Sequence, residues 1–278
     1  MKTFKHPILI VLLLLIFPLG AMAKDPWQEE TPATYEVPII MYHKVTRDKG
    51  QVGKFAIGPE ALEADFLYLQ NSDFTPVLMA DLIAFVHQGS PLPEKPIVLS
   101  FDDGYFGDYH YVYPLVQEYQ IPVVCSIIGK TTDDYTTEGR QDIIYPHVTW
   151  PQVEEMAQSG LIEIQNHGYN IHHGEKGVRG AQRRRGESDA QYKARLENDL
   201  GNLQDKIKAH TGQAPSTFTY PFGAKSPGTD EILKELGFLA SFMTEGRRNT
   251  ITHGQPDCLY SLGRIIRPHG RSLEEILS

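Results

Sequence analysis

The 278-residue sequence contains only two cysteines, and so few exclude a framework of disulfide bonds in a chain of this length. It also lacks an excess of basic residues, because 26 lysines and arginines stand against 35 acidic residues, for a formal net charge of −9. A net acidic surface excludes bulk electrostatic capture of DNA or RNA as the main activity. The composition, 41% hydrophobic and 22% charged, is that of an ordinary globular protein.

The two cysteines are Cys125 and Cys258, and in an exported protein they could form one disulfide bond. Cys125 lies in the run Val-Val-Cys-Ser-Ile, however, and this run predicts a buried strand. A buried free cysteine behaves as a small hydrophobic residue. We therefore expect two unpaired thiols.

The beginning of the chain has the order of a signal peptide. Lys2 and Lys5 precede an apolar run at residues 7–19, and Ala21 and Ala23 place small residues where a signal peptidase cleaves. The run is short for a membrane span, although an uncleaved N-terminal anchor is the alternative. We predict a signal peptide at 1–23, a flexible lead at 24–36 and one domain at 37–278. The mature protein would be secreted or periplasmic, without stable membrane insertion.

Short apolar runs alternate with helical patterns along the predicted domain. The strand candidates are Val37–Tyr42, Ile97–Phe101, Pro122–Ile128, Ile162–Gln165, Thr217–Tyr220 and Leu239–Met243. The helix candidates are Pro59–Gln70, Ala80–His87, Trp150–Ser159, Thr229–Leu236 and a long helix that begins after the capping box Ser188–Gln191. Because no internal repeat or Gly/Ser linker divides the chain, the alternation predicts a single α/β domain with a parallel sheet and helices packed outside it.

Two adjacent carboxylates, Asp102 and Asp103, follow the apolar run Ile97–Leu99 by three and four residues. They therefore lie at the C-terminal end of a predicted parallel strand, where α/β folds place their active sites. Beside a metal ion, one such acid can bind the cation while the other acts as a base toward a water molecule. The alternative is an Asp-Asp-Gly turn without a function, because such turns are common in loops.

Three histidines lie within seven residues after another predicted strand: His167, His172 and His173. The spacing of five between His167 and His172 does not suit one face of a helix, but it suits a strand end that folds back through a glycine-containing loop. Two imidazoles and one carboxylate form the three-ligand set of a catalytic zinc site. The alternative is a surface histidine cluster that binds metal adventitiously.

Residues 174–186 are rich in basic side chains and contain Lys176, Arg179, Arg183, Arg184 and Arg185. One interpretation is a solvated loop that balances an acidic protein. The other is a contact for an anionic polymer or for a membrane surface. The sequence leaves both open.

Taken together, these residues resemble the motifs of the polysaccharide deacetylases with NodB homology, carbohydrate esterase family 4. Residues 100–104 (SFDDG) are similar to the family's Asp-Asp motif, and the segment from His167 is similar to its histidine motif. The resemblance extends to residues 38–43 (PIIMYH), 149–150, 159–161 and 218–223 (FTYPFG), and it covers about Glu36 to Leu277. It implies a distorted, incomplete (β/α) barrel.

The resemblance also implies a metal site. Asp103 and His167 fall on metal ligands, and Asp102 falls on the catalytic base. The commoner family spacing would place the second histidine at Ile171, which cannot bind metal, whereas a branch of the family with a spacing of five selects His172 over His173. The implied cofactor is zinc, with cobalt or nickel as possible substitutes.

Two further assignments follow from the resemblance. The backbone N–H of Phe222 would face a developing oxyanion, and His269 would be the general acid, with His43 and His147 as alternatives. His43 follows a strand and could also line the mouth of the pocket. Thr219 occupies a position where the family often has an arginine that orients the catalytic aspartate. The candidates for stacking on sugar rings are Tyr169, Tyr220, Phe222 and Trp150, and buried packing is the alternative for Trp150 above all.

The expected function is that of a secreted, metal-dependent polysaccharide deacetylase. Its substrate would be an acetylated polysaccharide or oligosaccharide of a cell wall or extracellular glycan, from which it would release acetate by hydrolysing N-acetyl groups. One alternative is an O-acetyl esterase that acts on an acetylated xylan-type polymer. The other is a catalytically degenerate glycan-binding module, which the absence of arginine at position 219 would favour.

Overall fold

The computed structural model describes residues 33–138, 146–172 and 178–278 of the chain. The predicted signal peptide at 1–23, most of the predicted lead at 24–36, and His173 and Lys176 lie outside the described residues. Within the described ranges, no helix combines the length and apolar character that a membrane crossing requires.

The described part of the chain contains twelve strands and eight helices, together with short 3₁₀ and π-helical turns. The strands are β1 (Thr34–Val37), β2 (Ile39–Tyr42), β3 (Lys44–Val45), β4 (Ala56–Ile57), β5 (Thr75–Pro76), β6 (Pro96–Asp103), β7 (Val123–Ile127), β8 (Ile162–Asn166), β9 (Thr217–Thr219), β10 (Ala240–Phe242), β11 (Asn249–Thr252) and β12 (Ile265–Ile266). The helices are α1 (Pro59–Asn71), α2 (Met79–Gln88), α3 (Tyr113–Tyr119), α4 (Gly129–Glu138), α5 (Trp150–Gln158), α6 (Asp189–Thr211), α7 (Thr229–Glu235) and α8 (Leu273–Leu277).

The main sheet has eight strands in the order β10-β9-β8-β7-β6-β2-β12, with β5 paired to the beginning of β6. All neighbouring strands in it are parallel. The sheet curls into a half barrel, which confirms the predicted fold class. Since parallel strands end at the same edge, the ends of β6, β8 and β9 meet where the polar motifs lie.

The core explains why β6 is an interior strand of the sheet. All eight of its residues are buried, as expected for a strand covered on both faces. Leu99 and Phe101 pack in one apolar cluster with residues of α1 and α5, while Val98 packs in a second cluster with residues of α2. A strand fixed on both faces gives its carboxyl end, which carries the two aspartates, a rigid position.

The long helix α6 begins as predicted. The Ser188 hydroxyl accepts a hydrogen bond from the backbone N–H of Gln191, and the Gln191 side chain accepts one from the Ser188 N–H. The helix buries one stripe of side chains at helical spacing: Tyr192, Leu196, Leu200, Leu203 and Ile207. Cys125 and Cys258 are both free, in agreement with the sequence.

Two local expectations need correction. Thr34–Glu36 were placed in a flexible lead, but they belong to β1, which pairs antiparallel with β11. The predicted strand Val37–Tyr42 is also interrupted at Pro38, because proline has no N–H to donate to a ladder, and β1 and β2 therefore join different sheets.

Candidate metal centre and active site

The ends of two strands bring a carboxylate and two imidazoles together. Asp103 ends β6, and His167 and His172 follow β8. The Asp103 Oδ1 atom lies 3.3 Å from Nε2 of His167 and 3.2 Å from Nε2 of His172. One ligand atom from each residue lies within 4.8 Å of the others, as a shared metal ion requires. Asp103 and His167 are buried, and His172 is partly exposed to the cavity beside it.

Other groups hold these ligands from behind. The Nδ1–H of His167 donates to the carbonyl oxygen of Thr219 at 2.8 Å, which fixes the tautomer and turns Nε2 toward Asp103. Nδ1 of His147 donates to the backbone carbonyl of Asp103 at 3.0 Å. Such contacts orient metal ligands and are a regular part of metal centres.

The backbone at the end of β6 is strained. Asp103 has φ of 76°, a conformation that side chains of L-residues rarely adopt, and Gly104 follows with φ of 65°. A Cβ at Gly104 would lie 2.9 Å from the side chain of Ile127, so glycine is required there. Strain of this kind is kept at functional sites, where it aims a side chain that regular strand geometry would direct elsewhere.

The charges of the site are strongly coupled. Burial by itself would raise the pKa of Asp103, but hydrogen bonds with His167 and His172 outweigh burial and hold the pKa well below its usual range. Burial opposes the charged form of His167, yet the hydrogen bond with Asp103 raises the pKa of that imidazole overall. The carboxylate is therefore ionised and available as a ligand at neutral pH.

Asp102 is paired with a buried arginine. The guanidinium of Arg264 donates to both carboxylate oxygens of Asp102, at 2.6 and 2.7 Å, and to the hydroxyl of Ser100 at 3.1 Å. Its Nε–H donates to the carbonyl of Met243 at 2.8 Å, and the Arg264 side chain is fully buried. Burial would raise the pKa of Asp102, but the charge and hydrogen bonds of Arg264 lower it overall.

Arg264 is one residue of the site that the sequence analysis missed. The expected arginine is absent at position 219, where Thr219 supplies a backbone carbonyl to His167 instead. Arg264 reaches Asp102 from the segment before β12, which joins the sheet beside β2. The sequence gives only a weak signal for this role, since a buried arginine and an exposed one look alike until the partner is known. Arg264, and not a residue at position 219, therefore holds the Asp102 carboxylate in place and keeps it ionised.

A cavity of about 470 Å³ opens over the two aspartates, within the usual size of a ligand site. Its lining comprises Met41, His43, Lys54, Phe55, Asp102, Asp103, Tyr105, His167, His172, Arg179, Phe222, Thr244 and Ile266. His43 directly follows β2, with Nε2 3.8 Å from an oxygen of Asp102, so the expectation that it lines the pocket is confirmed. Its Nδ1 is buried and has no hydrogen-bond partner among the described residues.

The structure places His269, the residue expected as the general acid, away from the cavity. His269 is exposed and does not line the cavity; its backbone N–H donates to the carbonyl of Gly53 at 2.8 Å, in the Pro-Gly turn after β12. His147 does not line the cavity either, since its ring is bound behind Asp103. Of the three histidines considered, His43 is the one that the fold places beside Asp102.

Phe222 lies in the cavity wall, with a backbone φ of 61°, and the residue is 46% exposed. The other three stacking candidates do not line the cavity. Tyr220 and Trp150 are buried, and the phenol of Tyr169 donates to Asp133 at 2.9 Å. Phe55, 50% exposed in the opposite part of the lining, was not singled out from the sequence.

Comparison with known families agrees with this site. The sequence model of the family described as polysaccharide deacetylase matches residues 89–241, which include both aspartates and the two histidines. The match covers more than half of the chain. The chain belongs to the polysaccharide deacetylase family.

Individual relatives point in the same direction. The chain is 27% identical, over 272 residues, to the poly-beta-1,6-N-acetyl-D-glucosamine N-deacetylase of Escherichia coli (strain K12). That alignment covers 91% of this chain but 39% of the relative, so the chain spans less than half of that protein's length.

Among solved structures, a de-N-acetylase from Aggregatibacter actinomycetemcomitans superposes with a TM-score of 0.73 at 27% identity, over 87% of this chain and 98% of that one. The deacetylase domain of BpsB from Bordetella bronchiseptica gives a TM-score of 0.64 at 26% identity, over 86% and 98% of the two chains. The described fold is therefore that of a deacetylase domain.

Proposed function

We propose that the protein is a metal-dependent N-deacetylase that hydrolyses N-acetyl groups of a cell-wall or extracellular glycan and releases acetate. The observation that carries the proposal is the meeting of Asp103, His167 and His172 beside a second, buried carboxylate, Asp102. The printed names of the relatives, which are N-deacetylases of an N-acetylglucosamine polymer or de-N-acetylases, support this class of substrate. Residues 1–23 support a secreted or periplasmic location.

The donor set suits zinc, with cobalt or nickel as substitutes. Two imidazole nitrogens and one carboxylate oxygen are the ligands of a catalytic zinc site, and the carbonyl of Thr219 supplies the supporting contact that such a histidine needs. A bound divalent cation would polarise the attacking water and the acetyl carbonyl.

The remaining steps belong to the residues of this chain. Asp102, held by Arg264, takes a proton from water as the water oxygen bonds to the acetyl carbon. The C–N bond then breaks, acetate is released, and the nitrogen leaves as an amine that takes up a proton. The backbone N–H of Phe222 is the proposed donor to the oxyanion.

His43 is the proposed donor of the proton that the amine takes up. Burial lowers the pKa of His43 despite the opposing charges of Asp102 and Asp103, so its protonated form is a stronger acid than ordinary histidine. The position at 3.8 Å from Asp102 also allows the proton taken from water to pass toward it. His43 and Asp102 both line the same cavity.

Replacing His43 by glutamine is expected to lower kcat by about 10²-fold, because the leaving amine loses its proton donor. His269→Gln, the matched change at an exposed histidine, is expected to stay within about twofold of the wild type. Acetate release under saturating substrate measures both variants, with zinc content determined in parallel. A larger loss of kcat in His269→Gln than in His43→Gln would restore His269 as the general acid.

A panel of substrates tests whether the protein hydrolyses N-acetyl groups or O-acetyl groups. The zinc-loaded protein is expected to release acetate from N-acetylglucosamine oligomers at a higher kcat/KM than from acetylated xylan. Faster release from xylan would show an O-acetyl esterase. Tight glycan binding without acetate release from either substrate would show a binding module. The Arg264–Asp102 pair disfavours this last outcome, because binding alone requires no oriented base.

A further inference from the structure

The cavity wall contains two similar stacks of side chains, one on each side of the aspartates. In the first, called the Phe55 stack, the ring of Phe55 packs edge-on against His43 at 4.9 Å, and the Lys54 ammonium lies 5.0 Å from the Phe55 ring centre. In the second, the Phe222 stack, the ring of Phe222 packs on His172 at 4.7 Å, and the Arg179 guanidinium lies 5.0 Å from the Phe222 ring centre. All of these residues line the cavity.

Each stack therefore ends in a cation at the mouth of the cavity. Lys54 and Arg179 are exposed, and neither forms an ion pair within the part of the chain that the structure describes. The acids of the lining are already compensated, since Asp102 is paired with Arg264 and Asp103 contacts two histidines. The charge that the cavity offers to a ligand outside the metal centre is therefore positive, although the whole chain is acidic.

The placement of Arg179 also leaves its best donors available. The Arg179 guanidinium contacts the Phe222 ring and forms no hydrogen bond within the described residues, so its N–H groups can bind a carboxylate or phosphate with two parallel hydrogen bonds. The exposed side chains of Phe55 and Phe222 offer apolar surface for sugar rings beside these cations. The two stacks thus combine surfaces for a sugar with donors for an anion.

We propose that the preferred substrate is an N-acetylated glycan with an anionic group, carboxylate or phosphate, on a sugar next to the one that is deacetylated. Arg179 and Lys54 bind this group at the mouth of the cavity while the acetamido group reaches the metal centre. This inference rests on the proposed N-deacetylase function and narrows its substrate class. Of the basic segment at 174–186, it assigns Arg179 a role in substrate recognition.

The test compares three oligosaccharides of equal length: a neutral N-acetylglucosamine oligomer, one with a carboxylate on the neighbouring sugar and one with a phosphate there. We expect at least one anionic oligomer to exceed the neutral one in kcat/KM by about tenfold, because two exposed charge contacts contribute about two- to fivefold each. The preference should fall as sodium chloride is added. The faster of the two anionic oligomers identifies the anion.

Variants assign the preference to its residues. Arg179→Gln and Lys54→Gln are each expected to lower the ratio of anionic to neutral kcat/KM by about two- to fivefold. The ratio is the appropriate readout because it cancels any loss common to all three substrates. Arg185→Gln and Lys49→Gln remove the same charges from exposed residues outside the cavity and should leave the ratio unchanged.

Equal or lower kcat/KM on both anionic oligomers would overturn the inference while leaving the N-deacetylase function intact. A preference that persists unchanged in both Arg179→Gln and Lys54→Gln would overturn it as well. Release of no acetate from any oligomer by the zinc-loaded protein would contradict the proposed function instead. In that case, calorimetry measures the dissociation constants of the three oligomers. Tighter binding of an anionic oligomer that is lost in Arg179→Gln and Lys54→Gln would support the inference, and equal binding of all three would overturn it.

Discussion

Replacing Arg264 by methionine is expected to destabilise the folded protein by about 3–5 kcal/mol, since the change leaves the Asp102 carboxylate buried without its charged partner. Four donated hydrogen bonds are lost with the guanidinium, including both bonds to Asp102. Urea unfolding measures the change in the free energy of unfolding. Acetate release should also fall strongly at temperatures where the variant remains folded, because Asp102 is no longer held in position.

The chain offers a matched control in a second buried ion pair. Arg267 donates to both oxygens of Asp65, at 2.8 and 3.0 Å, and neither residue lines the cavity. Arg267→Met should therefore lower the free energy of unfolding by a similar amount, but the folded fraction should retain its activity. If Arg264→Met lowers the free energy of unfolding by less than about 1 kcal/mol, the role assigned to Arg264 is contradicted. Equal loss of acetate release in the two folded variants would contradict it as well.

The Asp102→Asn variant is expected to lower kcat by about 10²- to 10⁴-fold, because an amide cannot take the proton of the attacking water. Zinc affinity should change little, since the ligand set of Asp103, His167 and His172 is intact. Acetate release and zinc titration on the same preparation separate the loss of a base from the loss of a ligand.

Asp102→Asn also leaves Arg264 without its ionised partner, so a control for stability is needed. Asp65→Asn makes the same change in the buried Asp65–Arg267 pair, outside the cavity. If Asp65→Asn loses as much activity per folded molecule as Asp102→Asn, the assignment of Asp102 as the base is wrong. Retention of more than a tenth of wild-type kcat in Asp102→Asn would lead to the same conclusion.

The parts of the fold that the sequence predicts are those with strong periodicity. Helix α6 has an apolar stripe and a capping box, and both are present as predicted. Helix α4 was missed because its sequence, GKTTDDYTTE, has no apolar period. The pairing of β1 with β11 joins Thr34–Val37 to Asn249–Thr252, and local sequence contains no signal for so distant a partner.

The difference between local patterns and long-range contacts applies to the site as well. The meeting of Asp103 with His167 and His172 could be anticipated, because Asp103 ends one parallel strand, both histidines follow another, and the ends of these strands share one edge. Arg264 and His43 belong to the site because β2 pairs with β6 and β12 pairs with β2, a long-range arrangement that motif spacing does not encode. The exposed turn that holds His269, outside the cavity, is likewise not encoded in the spacing of the motifs.

The dependence of acetate release on zinc tests the central claim most directly. The protein is stripped with a chelator, and zinc is then returned in steps while acetate release from an N-acetylglucosamine oligomer is measured. We expect no release from the stripped protein and a linear rise that ends at about one zinc per chain, as one three-ligand site requires. Full activity in the stripped protein, or no activity with one zinc tightly bound, would contradict the account.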